Sequence, residues 1–200
     1  LRTDQDPITQ YFYLRRNALK ADIDIGSDDI VAVNVHATAF ATDDTKQKHI
    51  DTFYSVLETL DSSGRVFVAG GDLNSIPPGA PQYDFCLEDK CDDEECEVDD
   101  DGPHLEGSYF NNFDGELDLI QRFYDSFIPA ISLDDAITSD HTTHSTWTTA
   151  NPDYGSDREY WDRKLDYLFT NGTSFTDGQT FQSAHQLSDH APVSARLDME

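Results

Sequence analysis

Apolar and polar residues alternate cleanly from Ile30 to His36, the period of a strand with one buried face. Tyr11 to Ile25 also reads as extended, its β-formers broken by Arg15, Arg16 and Asn17, and Gly26-Ser27-Asp28-Asp29 supplies a turn between the two strands. Ile50, Phe53, Leu57 and Leu60 then recur at helical spacing. They predict a helix capped by Thr42 or Asp43, acidic in its first turn and running to about Leu60. Ser62-Ser63-Gly64 ends it, and Arg65 to Ala69, bounded by Gly70-Gly71, has the short apolar run of a buried strand. Strand, helix and strand in that order predict an α/β layer.

Three prolines and a glycine between Ile76 and Pro81 exclude regular structure there. Glu88 to Asp101 sets ten acids against one lysine, a solvated stretch that defines an acidic insertion loop at about residues 84–107. Leu117 to Phe127 reads as a helix, and Lys164 to Thr170 and Pro192 to Asp198 read as strands. Asn171-Gly172 makes the turn after the first of these; with Thr173 it also fits a glycosylation sequon, but the Asn-Gly turn is the simpler reading. No internal repeat or domain boundary is visible, so residues 1–200 are read as a single domain.

Charge sharpens this picture. The formal net charge is −27, from 31 Asp and 9 Glu against 13 basic residues, of which 5 are Lys. Such a surface repels polyanions and lacks the basic footprint through which long nucleic acid is usually held. It suits saline surroundings, where screening weakens self-repulsion, so an extracellular or periplasmic setting is expected. No stretch is long and apolar enough for a membrane helix. A monomer is expected. Cys86, Cys91 and Cys96 lack the paired spacing of a zinc site, leaving a local disulfide or free thiols open.

Four segments carry candidate chemistry. After the apolar run ending at Ala69, Gly70-Gly71-Asp72-Leu73-Asn74 presents an acid and an amide two residues apart, which extended geometry would point to one side. Asp72 could orient or deprotonate a water and Asn74 could donate to a phosphate oxygen, although the same residues also suit a plain turn. Ser188-Asp189-His190 precedes the last strand and pairs a hard-cation ligand with an imidazole. The copy at Ser139-Asp140-His141 continues into a polar stretch, so Asp140, His141 and His144 are read as loop residues. Asp166 interrupts a β-rich run, and a buried carboxylate there would need a partner such as a histidine. Asn34 and His36 share one face at the end of their strand.

Taken in order, Asn34-Val35-His36, Gly71-Asp72-Leu73-Asn74, Leu165-Asp166-Tyr167-Leu168-Phe169 and Ser188-Asp189-His190-Ala191-Pro192-Val193 resemble the endonuclease/exonuclease/phosphatase superfamily, which includes deoxyribonucleases, AP endonucleases, sphingomyelinases and inositol phosphatases. Arg16-Asn17-Ala18-Leu19 and Ser145-Thr146-Trp147-Thr148 extend the resemblance over nearly the whole chain. It implies a four-layer α/β sandwich, two mixed β-sheets face to face with helices outside, and hydrolysis of a phosphoester by in-line attack of water. The site it implies has His36, Asp72, Asn74, Asp166 and His190 as catalytic residues, Asn34, Asn74 and His190 on the substrate, and Asp72 and Asp189 on a metal, Mg²⁺ or Mn²⁺ with Ca²⁺ as a possibility. Asp72 would activate water and Asn74 would hold the phosphate. His190, paired with Asp166, would contact it, and His36 would stabilise or protonate the leaving oxygen. The substrate could be a small phosphodiester, a lipid headgroup or nucleic acid, with long nucleic acid disfavoured by charge.

The resemblance also calls for an Asn and a metal-binding Glu upstream, and the residues before Arg16 contain neither. A C-terminal portion of the fold is therefore expected, binding Mg²⁺ or Mn²⁺ weakly and turning over little by itself. A truncated inactive relative is the second expectation. From a different class, an acidic Ca²⁺-binding or interaction module would use Glu94, Glu95 and Asp99, although this stretch lacks the order and glycine of an EF-hand loop.

Overall fold

A computed structural model describes residues 16–26, 29–39, 44–80, 98–99, 102–103, 118–137, 141–147, 161, 163–172, 174–184 and 187–199. The alternating run predicted around Ile30 becomes β2 (Asp29–His36), preceded by β1 (Ala18–Asp24) as its antiparallel partner. Val31, Val33 and Val35 are buried on one face of β2, as their period of two requires. Helix α1 (Thr45–Ser62) then crosses to β3 (Val66–Asp72), which runs parallel to β2. The first half thus forms the expected α/β layer.

Helix α1 starts later than the sequence suggests. Asp44 is its first flanking residue and caps no backbone N–H with its side chain, and the first turn carries no acid. Thr42 and Asp43 lie outside the described residues. The apolar spacing holds: Ile50, Phe53, Leu57 and Leu60 are all buried. They join Phe67 and Ala69 of β3 with Phe123 and Phe127 in one core. Phe53 stacks on Phe123 with ring centroids 5.6 Å apart, and Phe67 meets Phe127 edge-on at 5.2 Å.

Among the described residues, the segment predicted as a helix to Phe127 is α-helical only over α2 (Gln121–Ser126). Phe127 turns extended so that β6 (Ile128–Pro129) can pair with β7 (Asp166–Thr170), and strand pairing overrides helical propensity there. A short α3 (Leu133–Ile137) follows. The main sheet has five strands in the order β1-β2-β3-β7-β6 and is mixed, since β7 is antiparallel to β3. A second, two-stranded sheet pairs β8 (Ser174–Thr180) with β9 (Val193–Asp198). Two sheets and outer helices agree with the sandwich expected from the sequence.

The Asn171 amide is spent inside the fold: it donates to the Asp61 carboxylate and the Arg65 carbonyl and accepts from the Phe67 N–H. This is the turn role expected of Asn171-Gly172. Of the acidic insertion, only β4 (Val98–Asp99) and β5 (Gly102–Pro103) are described, a short antiparallel pair, and the three cysteines lie outside the described residues. No described helix is long and apolar enough to cross a membrane.

The tightest packing is along β3. A Cβ on Gly70 would overlap the Tyr167 carbonyl oxygen on one side, and a Cβ on Gly71, whose φ is +125°, would overlap the Val35 carbonyl oxygen on the other. Gly71→Ala is therefore expected to cost roughly 2 kcal/mol or more, combining overpacking with a backbone angle that alanine resists. Gly64→Ala, at φ +71° in open space, should cost only about 1 kcal/mol. Urea denaturation of the two variants checks the difference, and equal losses would refute it.

Candidate active site

Three adjacent strands place one residue each in a row across the sheet. His36 lies opposite Asp72 in the β2–β3 register, and Asp72 lies opposite Asp166 in the β3–β7 register. The strand period then puts all three side chains on the same face. His190, which arrives from the segment before β9, closes the group. Its Nδ1 is 2.8 Å from Asp166 Oδ2 and its Nε2 is 3.9 Å from Asp72 Oδ2. His36 Nε2 is 3.3 Å from the same Asp72 oxygen.

Asp72 and Asn74 come together by a turn rather than by extended geometry. Asn74 has φ of +48°, a left-handed conformation that Asn tolerates better than most residues. Its main-chain N–H donates to Asp72 Oδ1 at 2.8 Å, and its side-chain amide donates to Asp72 Oδ2 at 3.0 Å and to the Ala37 carbonyl at 3.1 Å. The turn reading of Gly-Asp-Leu-Asn holds, and the turn aims the Asp72 carboxylate. Asn74 is only 2% exposed, so in this arrangement it orients Asp72.

Burial, reinforced by the nearby Asp166 charge, raises the Asp72 pKa to about 6 against the opposing Asn74 N–H, His190 and Arg16. For His190, burial alone would lower the pKa, but the hydrogen bond and charge of Asp166, with Asp72 and Asp189, outweigh it and raise the value. His36 goes the other way, lowered by burial and then by Arg16 and His190. The two imidazoles thus differ: His36 favours the neutral form and His190 holds its proton to higher pH.

Sequence reasoning gave Arg16 no place in the site, treating it as a break in a strand-like run and as part of the family-like Arg16-Asn17-Ala18-Leu19. Its charge lowers the pKa of both His36 and Asp72, which puts a cation beside the row. Its place just ahead of the edge strand β1 carried no local signal of this. The signal lies in the β1–β2 register, where Ala18 pairs with Val35, next to His36.

Asn34 is exposed on β2, and its amide nitrogen lies against Gly71. Asp189 is exposed beside His190 and accepts from the Ser188 hydroxyl at 3.3 Å. Among the described residues, no three His, Cys, Asp or Glu side chains are arranged to hold a metal ion. Both Asp72 oxygens already accept from Asn74, and Asp166 Oδ2 is engaged by His190. These residues by themselves do not fit a complete metal site. Of the loop histidines, His144 lies in a short 3₁₀ turn with Nδ1 3.4 Å from Thr180 Oγ1, and Asp140 lies outside the described residues.

No protein-family model and no curated protein matches the sequence. Solved structures do match in fold. An endonuclease/exonuclease/phosphatase from Beutenbergia cavernae DSM 12333 aligns with a TM-score of 0.54 at 20% identity, over 96% of this chain and 42% of its own. The Xenopus laevis APE2 catalytic domain aligns with a TM-score of 0.51 at 12% identity, over 91% of this chain and 54% of its own. The chain has the endonuclease/exonuclease/phosphatase fold, and it spans about half of these solved chains.

Beneath the row lies a fully buried lysine. Lys164 donates from Nζ to the Asp166 carbonyl at 3.0 Å and sits 4.9 Å from the Tyr167 ring. Burial lowers its pKa to about 8, with Asp166 opposing. Between about pH 8 and the unfolded value near 10.4, the unfolded chain binds a proton that the folded chain has released, so stability rises with pH. Relative to Lys164→Met, the wild type should gain roughly 2 kcal/mol between pH 8 and 9.5. Paired urea denaturations at several pH values measure this, and a constant difference would refute it.

Proposed function

We propose that this chain carries the proton-transfer and phosphate-holding part of a phosphoester hydrolase. The observation that carries the reading is the row His36, Asp72 and Asp166 on three neighbouring strand ends, closed by His190 hydrogen-bonded to Asp166. The fold supports it, being that of a protein named as an endonuclease/exonuclease/phosphatase.

In this reading Asp72 is the general base. With a pKa near 6 it is ionised at neutral pH yet basic enough to take a proton from an attacking water. The water oxygen forms the new bond to phosphorus while the bond to the leaving oxygen breaks on the opposite side. His190 supplies the proton that the leaving oxygen needs, its imidazole fixed by Asp166 and its raised pKa favouring the protonated form. Neutral His36 offers a hydrogen bond to the reacting group, and Arg16 offsets the phosphate charge. Asn74 serves by aiming Asp72. A divalent cation would add charge neutralisation on the phosphoryl oxygens, but the described residues lack a complete ligand set and no step here depends on one.

The net charge of −27 favours a small phosphodiester over long nucleic acid. The test is hydrolysis of glycerophosphocholine, a small diester whose alkoxide leaving group needs a proton, by the 200-residue chain in Mg²⁺ or Mn²⁺. A slow reaction is expected that falls to the buffer background in Asp72→Asn and in His190→Gln, each expected to lose about 100-fold or more. Arg16→Ala should chiefly raise KM, by on the order of tenfold. Hydrolysis that survives both Asp72→Asn and His190→Gln would overturn the proposal.

A further inference from the structure

The Asp166–His190 pair joins two segments that are distant in sequence, and a third segment holds them in register. Residues around Trp147 form isolated antiparallel bridges to Arg163 on one side and to His190 on the other. Thr146 lies at the centre of this junction and is completely buried.

Every polar group of Thr146 faces one of the two segments. Its hydroxyl oxygen accepts the main-chain N–H of Leu165 and of Asp166, each at 3.0 Å. Its own N–H donates to the Arg163 carbonyl at 2.8 Å. Its carbonyl accepts the N–H of Ala191, the residue after His190, at 2.7 Å. One side thus fixes the start of β7, where Asp166 projects, and the other fixes the backbone from which His190 projects.

The hydroxyl has a definite task. At Leu165 and Asp166 two consecutive N–H groups point the same way at one acceptor, which an ordinary ladder, with successive groups alternating sides, does not allow. The chain is therefore bent at the point where it delivers the carboxylate. Without the hydroxyl, two buried donors lose their acceptor, and rotation of the Asp166 peptide to find another would move its carboxylate away from His190 Nδ1.

We infer that Thr146 is the positioning residue of the Asp166–His190 pair, acting through the peptide groups on both sides of it; its bearing on catalysis rests on the function proposed above. Thr146→Val removes the hydroxyl with little change of shape, and Thr146→Ser keeps it while losing the methyl.

The decisive readout is the downfield proton resonance of the His190 Nδ1–H, assigned by its loss in His190→Gln. It reports on the pair whether or not the chain hydrolyses phosphoesters, so failure of the proposed function would not decide this question. Wild type and Thr146→Ser should retain the resonance. In Thr146→Val it should vanish or exchange with water at least about tenfold faster, with near-ultraviolet circular dichroism confirming the fold. Any hydrolysis should then drop in kcat rather than rise in KM. An unchanged resonance in folded Thr146→Val, or equal loss in Thr146→Ser, would overturn the inference. If Thr146→Val does not fold, hydrogen exchange in the unaltered protein decides. The Leu165, Asp166 and Ala191 amides should be protected as strongly as that of Phe169 within β7, and rapid exchange at all three would refute the junction.

Discussion

The site depends on how closely β3 passes between its two neighbours. Gly70 and Gly71 leave no room for a Cβ against the carbonyl oxygens of Tyr167 and Val35, so the central strand sits with bare backbone against both sides. That proximity sets His36, Asp72 and Asp166 in one lateral row and brings two carboxylates together in partial burial. The electrostatics follow from it. Burial, and after it the neighbouring Asp166 charge, keeps Asp72 from ionising at its ordinary pH, and His190 gains proton affinity from both acids.

Such a cluster holds its geometry only if its backbone is held as well. The Asx-type turn fixes Asp72 through Asn74, and Leu73 donates to the Leu165 carbonyl at 2.9 Å, tying the end of β3 to the segment entering β7. The Tyr167 hydroxyl shares its one proton between the Ser75 and Lys164 carbonyls, at 2.7 and 2.9 Å, bracing the same corner from below. The aromatic core of Phe53, Phe67, Phe123, Phe127 and Phe169 backs this corner on the other side of the sheet and makes it stiff. The face that carries the row is thus supported by hydrogen bonds at its rim and by packing beneath.

At the other end of the sheet the support thins. Every residue of β1 is exposed, including Leu19 and Ile23, and the second sheet has only two described strands. The two solved structures compared share the fold in chains about twice this length. Within the described residues, His36, Asp72, Asp166 and His190 are assembled and a metal-binding set is not.

The sequence by itself determined the elements whose hydrophobic period is strong: the β1–β2 pair, helix α1, and the strands carrying Asp72 and Asp166. It also singled out His36, Asp72, Asn74, Asp166 and His190 as candidates, through four motifs whose order resembles one family, and the fold brings these residues together. It preferred the Ser-Asp-His at 188–190 over that at 139–141, and the Asp166–His190 contact agrees with that choice. It overextended the helix ending near Phe127, since only pairing with β7 reveals that this stretch must turn extended. It could not show that Asn74 is left-handed and turned onto Asp72, that Arg16 lies beside the row, or that Thr146 binds two distant segments together. These depend on strand register and on backbone groups meeting across long stretches of chain, and side-chain periodicity carries no information about either.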